Sequence, residues 1–459
     1  MSEIQFTNEI QQQRDFFFAG KTKDIDFRIA QLKKLKQLLM ENESKMAEAI
    51  YLDFGKSEFD LYTTELSIIY TDINESIKKV KSWSKRKRVR TNVLNMPAKS
   101  YIIPEPLGVS LIIGAWNYPF QLSISPAIAA ITAGCTVILK PSELPSRTSA
   151  MMAELVNTHF DPGFFRVIEG GVPEMTALLT EKYDKIFFTG SIPVGKIVYQ
   201  AAAKFLTPVT LELGGKSPVF VTEKCNLDVT VRRLVWAKFL NSGQTCIAPD
   251  YVLIEKSIES SFLQKFIAEI ERSKFSVENG NYVQMINERN FDRVAQQLAG
   301  QEIFYGGEMV REQRHISPTL LTNIHFDHPI MADEIFGPIL PIISFTNLDD
   351  AIQQVKQRPK PLSLYVFSDD RDEQNKILSA ISFGGGSVND AMMHIVNPNL
   401  PFGGVGDSGM GNYHGIAGFR AFSHEKSVLH KSNYFEPSLK YSPHTPSRFK
   451  WIKRLITWI

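Results

Sequence analysis

The sequence has few cysteines, little net charge and no long apolar run, and each shortage excludes a class of protein. Its three cysteines, Cys135, Cys225 and Cys246, are scattered through 459 residues rather than spaced as a disulfide framework or a metal site. A formal net charge of +2 gives no overall electrostatic footprint for nucleic acid. No apolar run is long enough to span a bilayer, and the polar start, Met1 to Glu9, lacks the apolar region of a secretory signal. We therefore expect a cytoplasmic globular protein with no metal site and no nucleic-acid partner.

Basic charge is concentrated in one stretch, from Lys78 to Arg90. An anionic surface or a nucleic acid would explain this charge, and so would an exposed, solvated connection between two domains. The second interpretation is favoured, because a basic run without interleaved base-stacking motifs is usually solvated surface.

The order of helix-like and strand-like segments predicts an α/β protein with two domains. The first 80 or so residues have apolar positions at helical spacing, and from residue 108 short β-rich runs alternate with helical stretches. That alternation is typical of a parallel sheet covered by helices on both faces. A second strand–helix series runs from Ser217 to about Leu400, so we expect a second α/β domain, with the boundary near Gly214-Gly215.

Two glycine-containing segments compete as the site for a dinucleotide. Gly404 to Gly409 matches G-x-G-x-x-G literally, but it follows Pro401-Phe402 rather than an apolar strand. The fingerprint requires a strand that turns into a helix facing a pyrophosphate, so we interpret this cluster as a tight surface or domain-crossing loop. Gly190-Ser191 is the better candidate, since a predicted strand ends at Thr189 and Pro193 suits a first helical turn. A plain capped helix explains that segment equally well on its own.

A lysine and a glutamate follow the predicted strand that ends at Leu139. Ligands of open α/β sheets bind outside the carboxyl ends of strands, which places Lys140 and Glu143 well for ribose hydroxyls. Taken alone, a lysine and a glutamate in a loop are more often solvated surface. Together with the Gly190 turn, they favour a dinucleotide site at this edge of the sheet.

Cys246 is the one thiol that the sequence places in a setting for catalysis. It follows an apolar helix and ends the glycine-containing turn Asn241-Ser242-Gly243-Gln244-Thr245-Cys246, where a side chain is accessible. Cys135 opens an apolar run, and we interpret it as a small core residue. Cys225 lies in a polar turn in which Glu223 offsets the neighbouring cation that could lower its pKa.

Thiolate chemistry on an aldehyde needs three further groups, and the sequence offers a candidate for each. Asn117, in Trp116-Asn117-Tyr118-Pro119, supplies an amide for the oxyanion that forms when sulfur attacks the carbonyl. Glu212 lies between two leucines, where desolvation would raise its pKa, as suits a base that activates water against a thioester. Glu334 and Phe336 supply a carboxylate for a ribose and a ring beside a nicotinamide. Each also has an ordinary explanation: a helix cap for Asn117, a satisfied buried carboxylate for Glu212 and a turn for Glu334.

Together these segments resemble the aldehyde dehydrogenase superfamily, over essentially the whole chain. Seven motifs occur in the family's order: Trp116–Pro119, Lys140–Glu143, Phe188–Gly195, Glu212–Gly215, Gly243–Cys246, Glu334–Pro338 and Pro401–Gly404 with Ser408-Gly409. The chain resembles class 3 in particular, since it lacks the N-terminal extension of longer relatives and carries Ile247–Leu253 and Gly411–Gly415. One departure concerns the phosphate turn, where the family often has Gly-Ser-Thr and this sequence has Gly190-Ser191-Ile192-Pro193.

The resemblance implies a subunit of three parts. A Rossmann-like NAD-binding domain would comprise residues 1–80 and 104–213, and an α/β catalytic domain would comprise residues 214–407. A small β bridging element, residues 81–103 and 408–430, would join subunits, most often as a homodimer. Residues 431–459 would form a C-terminal amphipathic tail.

The resemblance also assigns roles to residues. Cys246 would attack the aldehyde, Asn117 and the Cys246 backbone N–H would hold the oxyanion, and Glu212 would activate the water that releases the acid. The expected cofactor-binding residues come from the other motifs: Trp116, Lys140, Glu143, Gly190, Ser191, Gly195, Leu213, Glu334 and Phe336. Because Glu143 would repel a 2′-phosphate, we expect NAD, with NADP use as a second activity that class 3 enzymes commonly have.

The last segment, Arg448 to Ile459, has an amphipathic pattern and tryptophan anchors. One helical face is apolar and includes Phe449, Ile452, Leu455, Ile456 and Ile459. Two interpretations stay open: peripheral contact with the inner face of the membrane, and docking of the tail on its own subunit or on a dimer partner. On the first, the substrate is a long apolar aldehyde. Class 3 relatives act on fatty and aromatic aldehydes and on apocarotenoid aldehydes such as diaponeurosporenal.

Two other functions are weighed against aldehyde oxidation. A CoA-acylating aldehyde dehydrogenase would share the thiol and the cofactor, but such enzymes generally lack the hydrolytic glutamate, so Glu212 argues against it. A catalytically silent binding or structural relative would have no need of Cys246, Glu212 and Asn117 together. We therefore expect NAD(P)-dependent oxidation of an aldehyde to the carboxylic acid.

Overall fold

Helices precede the first strand, in agreement with the helical spacing of apolar residues near the N-terminus. The structure, a computed structural model, describes residues 4–436 and 438–457. The N-terminal helices are α1 (Thr7–Phe18), α2 (Ile25–Glu41), α3 (Glu43–Phe54), α4 (Glu58–Leu61) and α5 (Ser67–Trp83). A π-helical turn, Tyr62–Leu66, joins α4 to α5. Leucines three and four residues apart, such as Leu32, Leu35 and Leu39, form the buried face of α2.

Strands and helices alternate from residue 109 onward, which confirms the predicted α/β class. The strands are β1 (Lys87–Val89), β2 (Ala98–Pro106), β3 (Val109–Ile113), β4 (Thr136–Lys140), β5 (Phe165–Val167), β6 (Lys185–Thr189), β7 (Val209–Glu212), β8 (Pro218–Val221), β9 (Tyr251–Glu255), β10 (Ile303–Tyr305), β11 (Met309–Val310), β12 (His315–Ile316), β13 (Thr319–Leu321), β14 (Ile339–Phe345), β15 (Ser363–Phe367), β16 (Gly385–Val388), β17 (Gly409–Met410) and β18 (Ser423–Lys431). The remaining helices are α6 (Gln121–Ala133), α7 (Ser146–His159), α8 (Val172–Leu178), α9 (Ile192–Ala203), α10 (Leu227–Phe239), α11 (Glu259–Ser273), α12 (Glu288–Leu298), α13 (Leu348–Lys356), α14 (Arg371–Ala380), α15 (Gly415–Ala421) and α16 (Pro446–Thr457).

The first sheet has a Rossmann-like strand order. Its strands lie in the order β17-β7-β6-β3-β4-β5, and all neighbours are parallel except β17, which runs antiparallel to β7. The chain reverses its direction of travel across the sheet between β3 and β6. Ligands of open α/β sheets bind in the crevice outside the strand ends at such a point. The loops after β3 and β6, which carry Asn117 and Gly190, border that crevice.

The second sheet shares no strand with the first. Its order is β10-β13-β14-β9-β8-β15-β16, with β10 antiparallel at the edge and the other neighbours parallel. Gly214-Gly215 lies between β7 of the first sheet and β8 of the second. The central strands of the second sheet are buried. Val219 of β8 and Val252 of β9 belong to the same apolar core as Ile112 and Phe187 of the first sheet. The two sheets therefore border one another through packed side chains.

A third sheet pairs strands from distant parts of the chain. β2 lies between β1 and β18 and is antiparallel to both, with Ala98 opposite Lys431 and Pro106 opposite Ser423. The basic stretch from Lys78 to Arg90 ends α5 and forms β1, and its lysines and arginines are exposed. The expected solvated connection is thus partly regular structure. The domain bounds drawn from the resemblance stay a prediction.

The C-terminal helix α16 lies against solvent. It contains no buried side chain within its described residues, and Phe449, Trp451 and Ile456 are 59%, 63% and 58% exposed. The predicted apolar face is therefore present, but the described part does not pack into its own subunit; Ile459 lies outside the described residues. Within the part of the chain that the structure describes, no helix is both long and apolar enough to cross a membrane.

Candidate active site

The carboxyl ends of parallel strands bring most of the predicted site residues to one cavity of about 590 Å³. β3 leads to Asn117, β4 ends at Lys140, β6 leads to Gly190 and β7 ends at Glu212. The cavity is lined by ten of the predicted residues: Trp116, Asn117, Lys140, Glu143, Gly190, Ser191, Glu212, Cys246, Glu334 and Phe336.

Gly195 and Leu213 lie behind the cavity wall. A Cβ atom on Gly195 would lie 2.6 Å from Cδ2 of Leu213, so the glycine is what lets α9 pack against the end of β7. Both residues are buried. Their contact with a cofactor stays a prediction, and the structure gives them a packing role.

The turn between β6 and α9 has the features of an anion site. Ser191 is the N-cap residue with extended backbone angles, its side chain makes no capping hydrogen bond, and Pro193 lies in the first turn. The first backbone N–H groups of α9 therefore have no side-chain partner at the cavity wall, where the helix dipole favours a phosphate. A Cβ atom on Gly190 would lie 2.6 Å from the Phe188 ring. The residues present thus fit a dinucleotide.

Lys140 and Glu143 form an ion pair on the same wall. Nζ of Lys140 lies 3.3 Å from Oε2 of Glu143 and donates to the Pro141 carbonyl at 2.9 Å. The lysine side chain is 4% exposed and that of the glutamate 48%, so the lysine is fixed and the glutamate faces the open cavity. This pairing is what ribose hydroxyls require, one donor and one acceptor side by side.

Glu334 approaches the cavity through the space left by a glycine. A Cβ atom on Gly214 would lie 2.0 Å from Oε2 of Glu334, so the close approach needs a residue without a side chain. Burial raises the pKa of Glu334 to about 8, and the neighbouring charge of Asp250 adds to the shift. The carboxyl group is therefore ready to accept or to donate a hydrogen bond near neutral pH.

Two basic residues hold the Glu334 loop, and neither was predicted from the sequence. Lys216 pairs with Asp250 and donates to the Asp333 carbonyl at 2.8 Å, while Asp250 accepts from the Ile335 backbone N–H at 3.0 Å. Arg293 donates to the Ile335 carbonyl at 2.9 Å. The loop is thus bound from both sides by charged groups.

Phe336 has a strained backbone at the centre of the cavity wall. Its φ of +48° is left-handed, a conformation that costs free energy for a residue with a side chain. Its ring contacts the Trp116 ring edge-on, with centroids 5.4 Å apart. The strain therefore coincides with the position predicted to support the nicotinamide ribose.

The turn before Cys246 is buried and rigid. Asn241, Ser242 and Gly243 all have positive φ, and a Cβ atom on Gly243 would lie 2.3 Å from the Gly337 carbonyl oxygen. Gln244 donates to the Gln284 carbonyl at 3.1 Å and accepts from the Ile286 N–H at 3.1 Å. A turn bound at this density holds the thiol in one place.

Cys246 differs from the other two thiols. It lines the cavity, as expected for an accessible side chain, whereas Cys135 is fully buried in the core, which confirms its predicted role. Burial raises the pKa of the Cys246 thiol, and the charges of Glu334 and Glu212 raise it further. The side chain is therefore a thiol whose proton must leave before the sulfur can attack.

Asn117 is tied to the nucleophile turn rather than to a helix. Its Nδ2 donates to the Gln244 carbonyl at 3.0 Å, and Asn241 Nδ2 donates to the Asn117 carbonyl at 3.1 Å. The N-cap of α6 is Phe120, so the helix-cap explanation of Asn117 is wrong. Because an amide nitrogen has two donors, one N–H of Asn117 is left to bind an oxyanion.

Glu212 is buried without a fixed partner. It is 3% exposed, and neither carboxylate oxygen has a hydrogen-bond partner among the described residues. The explanation of Glu212 as a satisfied buried carboxylate is therefore wrong. Burial raises its pKa well above the usual value, as the flanking leucines suggested. Its backbone is held at a sheet position, since Glu212 pairs with Gly409 of β17. The same pairing shows that the segment with the literal G-x-G-x-x-G match, Gly404–Gly409, ends in a strand of the first sheet.

A second cavity, of about 250 Å³, meets the first at the thiol. Both cavities are lined by Cys246, Glu212, Thr189 and Leu122. The rest of the second lining is mostly apolar and comes from α4, α5, α10 and the loops near residues 392–402: Phe59, Ile68, Trp236, Leu240, Met392, Met393, Ile395, Val396 and Phe402. Of these residues, the sequence motifs contain only Phe402, in Pro401–Gly404. The others were not predicted, because no motif links such distant segments.

The chain is similar to one family over nearly its whole length. The profile described as "Aldehyde dehydrogenase family" matches residues 6–428. The chain belongs to that family. The 4,4′-diaponeurosporen-aldehyde dehydrogenase of Staphylococcus aureus is 46% identical over 443 residues, which cover 95% of this chain and 96% of that protein.

Two further relatives agree with this membership. The dimeric NADP-preferring aldehyde dehydrogenase of Rattus norvegicus is 43% identical, with 98% of this chain and 99% of that protein covered. A solved structure of substrate-bound Staphylococcus aureus AldH matches with a TM-score of 0.95 at 44% identity, covering 98% and 99% of the two chains. This aldehyde dehydrogenase therefore oxidises aldehydes to carboxylic acids with NAD or NADP, and the predicted resemblance to class 3 is confirmed.

Proposed function

We propose that this aldehyde dehydrogenase oxidises long apolar aldehydes, fatty or apocarotenoid, and aromatic aldehydes through an acyl-enzyme on Cys246. The observation that carries the proposal is the position of Cys246 where two cavities of different chemistry meet. A cavity with an anion site and several charged groups suits a dinucleotide, and one without an ion pair or an anion site suits an aldehyde tail. The thiol between them can reach both.

The reaction begins with addition of the Cys246 sulfur to the aldehyde carbon. The thiol proton is released to solvent water, and the carbonyl oxygen becomes an oxyanion bound by Asn117 Nδ2 and the Cys246 N–H. The dinucleotide, when bound, supplies the acceptor for the hydride that leaves this carbon. The loss of hydride leaves a thioester on Cys246.

Hydrolysis of the thioester is assigned to Glu212. A water molecule gives a proton to the Glu212 carboxylate as its oxygen attacks the thioester carbon. The C–S bond then breaks to release the acid, and the proton held by Glu212 returns to the Cys246 sulfur. A raised pKa suits this base, and both carboxylate oxygens are without a hydrogen-bond partner among the described residues, so they can accept from the water molecule. Glu212 therefore acts in hydrolysis of the thioester and not in its formation.

The apolar lining of the second cavity supports a long apolar substrate. At its outer end, Phe59, Trp236, Met393 and Val396 are exposed apolar side chains that continue the lining toward solvent. An aldehyde longer than the cavity would extend over this apolar rim. The similar Staphylococcus aureus protein is named for 4,4′-diaponeurosporen-aldehyde, and this supports an apocarotenoid aldehyde as a substrate here.

Peripheral membrane contact and a homodimer are two further parts of the proposal. The homodimer is supported by the exposed strand β18 of the third sheet, which has no buried residue, and by the Rattus norvegicus relative that is named dimeric. Helix α16 exposes Phe449 and Trp451 beside Lys450 and Lys453, the composition of an interfacial helix in a cytoplasmic protein at the inner face of the membrane. Deletion of residues 449–459 would weaken co-sedimentation with anionic liposomes, and unchanged sedimentation would contradict this part. Sedimentation equilibrium of the intact protein tests the dimer.

A fluorescence screen for NADH formation tests the substrate class. Aldehydes from benzaldehyde to long polyenals are offered without CoA, with the Cys246→Ala variant as the blank. We expect the highest kcat/KM for long apolar aldehydes. Activity confined to short polar aldehydes would contradict the proposal, and activity that requires CoA would favour the acylating alternative.

A further inference from the structure

A buried ion pair lies within the N-terminal helices, close to the active site. Lys56 Nζ lies 2.7 Å from Glu65 Oε1, and the two side chains are 1% and 0% exposed. Taking two charges out of water is costly, so such a pair is stable only where further hydrogen bonds satisfy its remaining donors and acceptors. Those further bonds identify what the pair holds.

Glu65 binds the start of helix α6. Its Oε2 accepts from the Phe120 N–H at 2.9 Å and from the Gln121 N–H at 3.1 Å. These groups belong to the free end of a helix, where a carboxylate also interacts favourably with the helix dipole. One carboxylate oxygen thus fixes the C-terminal side of the loop that follows β3.

Lys56 binds the other side of that loop. Its Nζ donates to the Asn117 backbone carbonyl at 3.3 Å and lies 4.2 Å from the centroid of the Tyr118 ring. The Tyr118 hydroxyl in turn bonds Thr245 Oγ1 at 2.7 Å, next to Cys246. Lys56 therefore contacts the loop where it carries the oxyanion donor.

The local backbone supports a dedicated role for Glu65. It lies in the π-helical turn Tyr62–Leu66, while Lys56 lies in the short connection between α3 and α4. A π turn is rare, strains the helix and is frequent at functional sites. Here it coincides with the buried carboxylate.

We propose that Lys56 and Glu65 are positioning residues that hold Asn117 at the distance from the Cys246 sulfur that oxyanion binding requires. The proposal rests on the proposed role of Asn117. Neither charged group lines the two cavities described above, so each acts through the loop rather than on the substrate. A displacement of about 1 Å in a reacting geometry can lower a rate about 100-fold.

A double-mutant cycle on kcat tests the proposal. Lys56→Met removes the charge with little change in side-chain length, and it is measured alone, with Asn117→Ala alone, and with both together. We expect Lys56→Met alone to lower kcat about 30-fold and to lower it less than twofold further once Asn117 is already alanine. The dissociation constant for NADH would stay within twofold in all variants.

Glu65→Gln is a second variant for the same double-mutant cycle with Asn117→Ala, and it is used if Lys56→Met folds poorly. The amide oxygen still accepts a backbone hydrogen bond, so we expect a smaller loss, about tenfold, again absent from the Asn117→Ala background. An equal fold-loss in the two backgrounds, for either variant, would overturn the proposal. An Asn117→Ala variant with wild-type kcat would overturn both the oxyanion role and the proposal, which separates the two failures.

Arg28→Met is the matched control for a loss of stability. Arg28 is also buried, and it donates to the Thr132 carbonyl at 3.2 Å, at the opposite end of α6. Its loss would lower the melting temperature through the same helix but leave kcat unchanged. A fall in kcat equal to that of Lys56→Met would overturn the positioning role, because general loosening of α6 would then account for both.

Discussion

The two cavities that meet at Cys246 differ in where their walls come from. The larger is built from the ends of neighbouring parallel strands and the loops that follow them, and it carries charged groups such as Lys140, Glu143 and Glu334. The smaller is built from helices and loops far apart in the chain, and it is mostly apolar. The comparison teaches that the chemical step and the choice of substrate depend on different parts of the fold.

Removal of the thiol would abolish activity whichever aldehyde and whichever dinucleotide is used, because both cavities serve the same sulfur atom. Cys246→Ala leaves no atom to form the thioester, so we expect kcat to fall at least about 10⁴-fold for every aldehyde and with either dinucleotide. The control is Cys225→Ala, which removes the other partly exposed thiol. Initial rates of NADH formation measure the loss, and a residual rate within tenfold of wild type would contradict the assignment.

Replacement of Glu212 separates formation of the acyl-enzyme from its hydrolysis. With Glu212→Gln we expect about a 10³-fold slower steady state while a first burst of NADH persists, since general bases contribute about 10²–10⁴-fold. The raised pKa adds a pH dependence, because the deprotonated base is the active form. Hydrolysis in the wild type would be lost as the pH falls through a value well above 4.5. A variant with the same pH profile as wild type would refute the role.

Replacement of Glu143, on the wall of the larger cavity, would change only the preference between NAD and NADP. Glu143→Gln removes the charge that opposes a 2′-phosphate, so we expect the ratio of kcat/KM for NADP over NAD to rise about tenfold. The KM for aldehyde serves as the internal control and would stay the same. A wild-type enzyme that strongly prefers NADP would contradict the proposal that Glu143 repels a 2′-phosphate.

Replacement of Trp236, at the rim of the smaller cavity, would change only the preference between long and short aldehydes. Trp236→Ala at the outer rim removes contact area for a long chain, and we expect KM for long aldehydes to rise about fivefold while KM for benzaldehyde changes less than twofold. Saturation kinetics along a series of chain lengths measure the difference. Equal changes for short and long aldehydes would show that the rim does not contact the substrate tail.

The larger cavity could be predicted from the sequence because its residues lie in short motifs, which also carry the resemblance to the family. Lys140 and Glu143 follow a recognisable strand, Gly190 follows another, and parallel strands end at one edge of a sheet. Glu212 between leucines already indicated burial. The sequence therefore predicted both the fold class and ten residues that line this cavity.

The apolar cavity and the supports of the site could not be predicted, for two physical reasons. Phe59 and Trp236 look like ordinary apolar helix positions until tertiary packing brings them together. Lys56 and Glu65 look like solvated charges, because nothing in a single sequence indicates that residues nine apart are buried as a pair. The ordinary explanations of Asn117 and Glu212 could likewise be tested only in the structure. There Asn117 binds the turn before Cys246, and the Glu212 carboxylate has no hydrogen-bond partner among the described residues.

Mass spectrometry of a trapped acyl-enzyme tests the central claim most directly. Glu212→Gln is mixed with a long aldehyde and NAD, quenched in acid within one turnover, digested and mapped. The account predicts the mass of one acyl group on the peptide that contains Cys246, and none on the peptides that contain Cys135 or Cys225. Formation of acid and NADH without any acylated Cys246 peptide would contradict it.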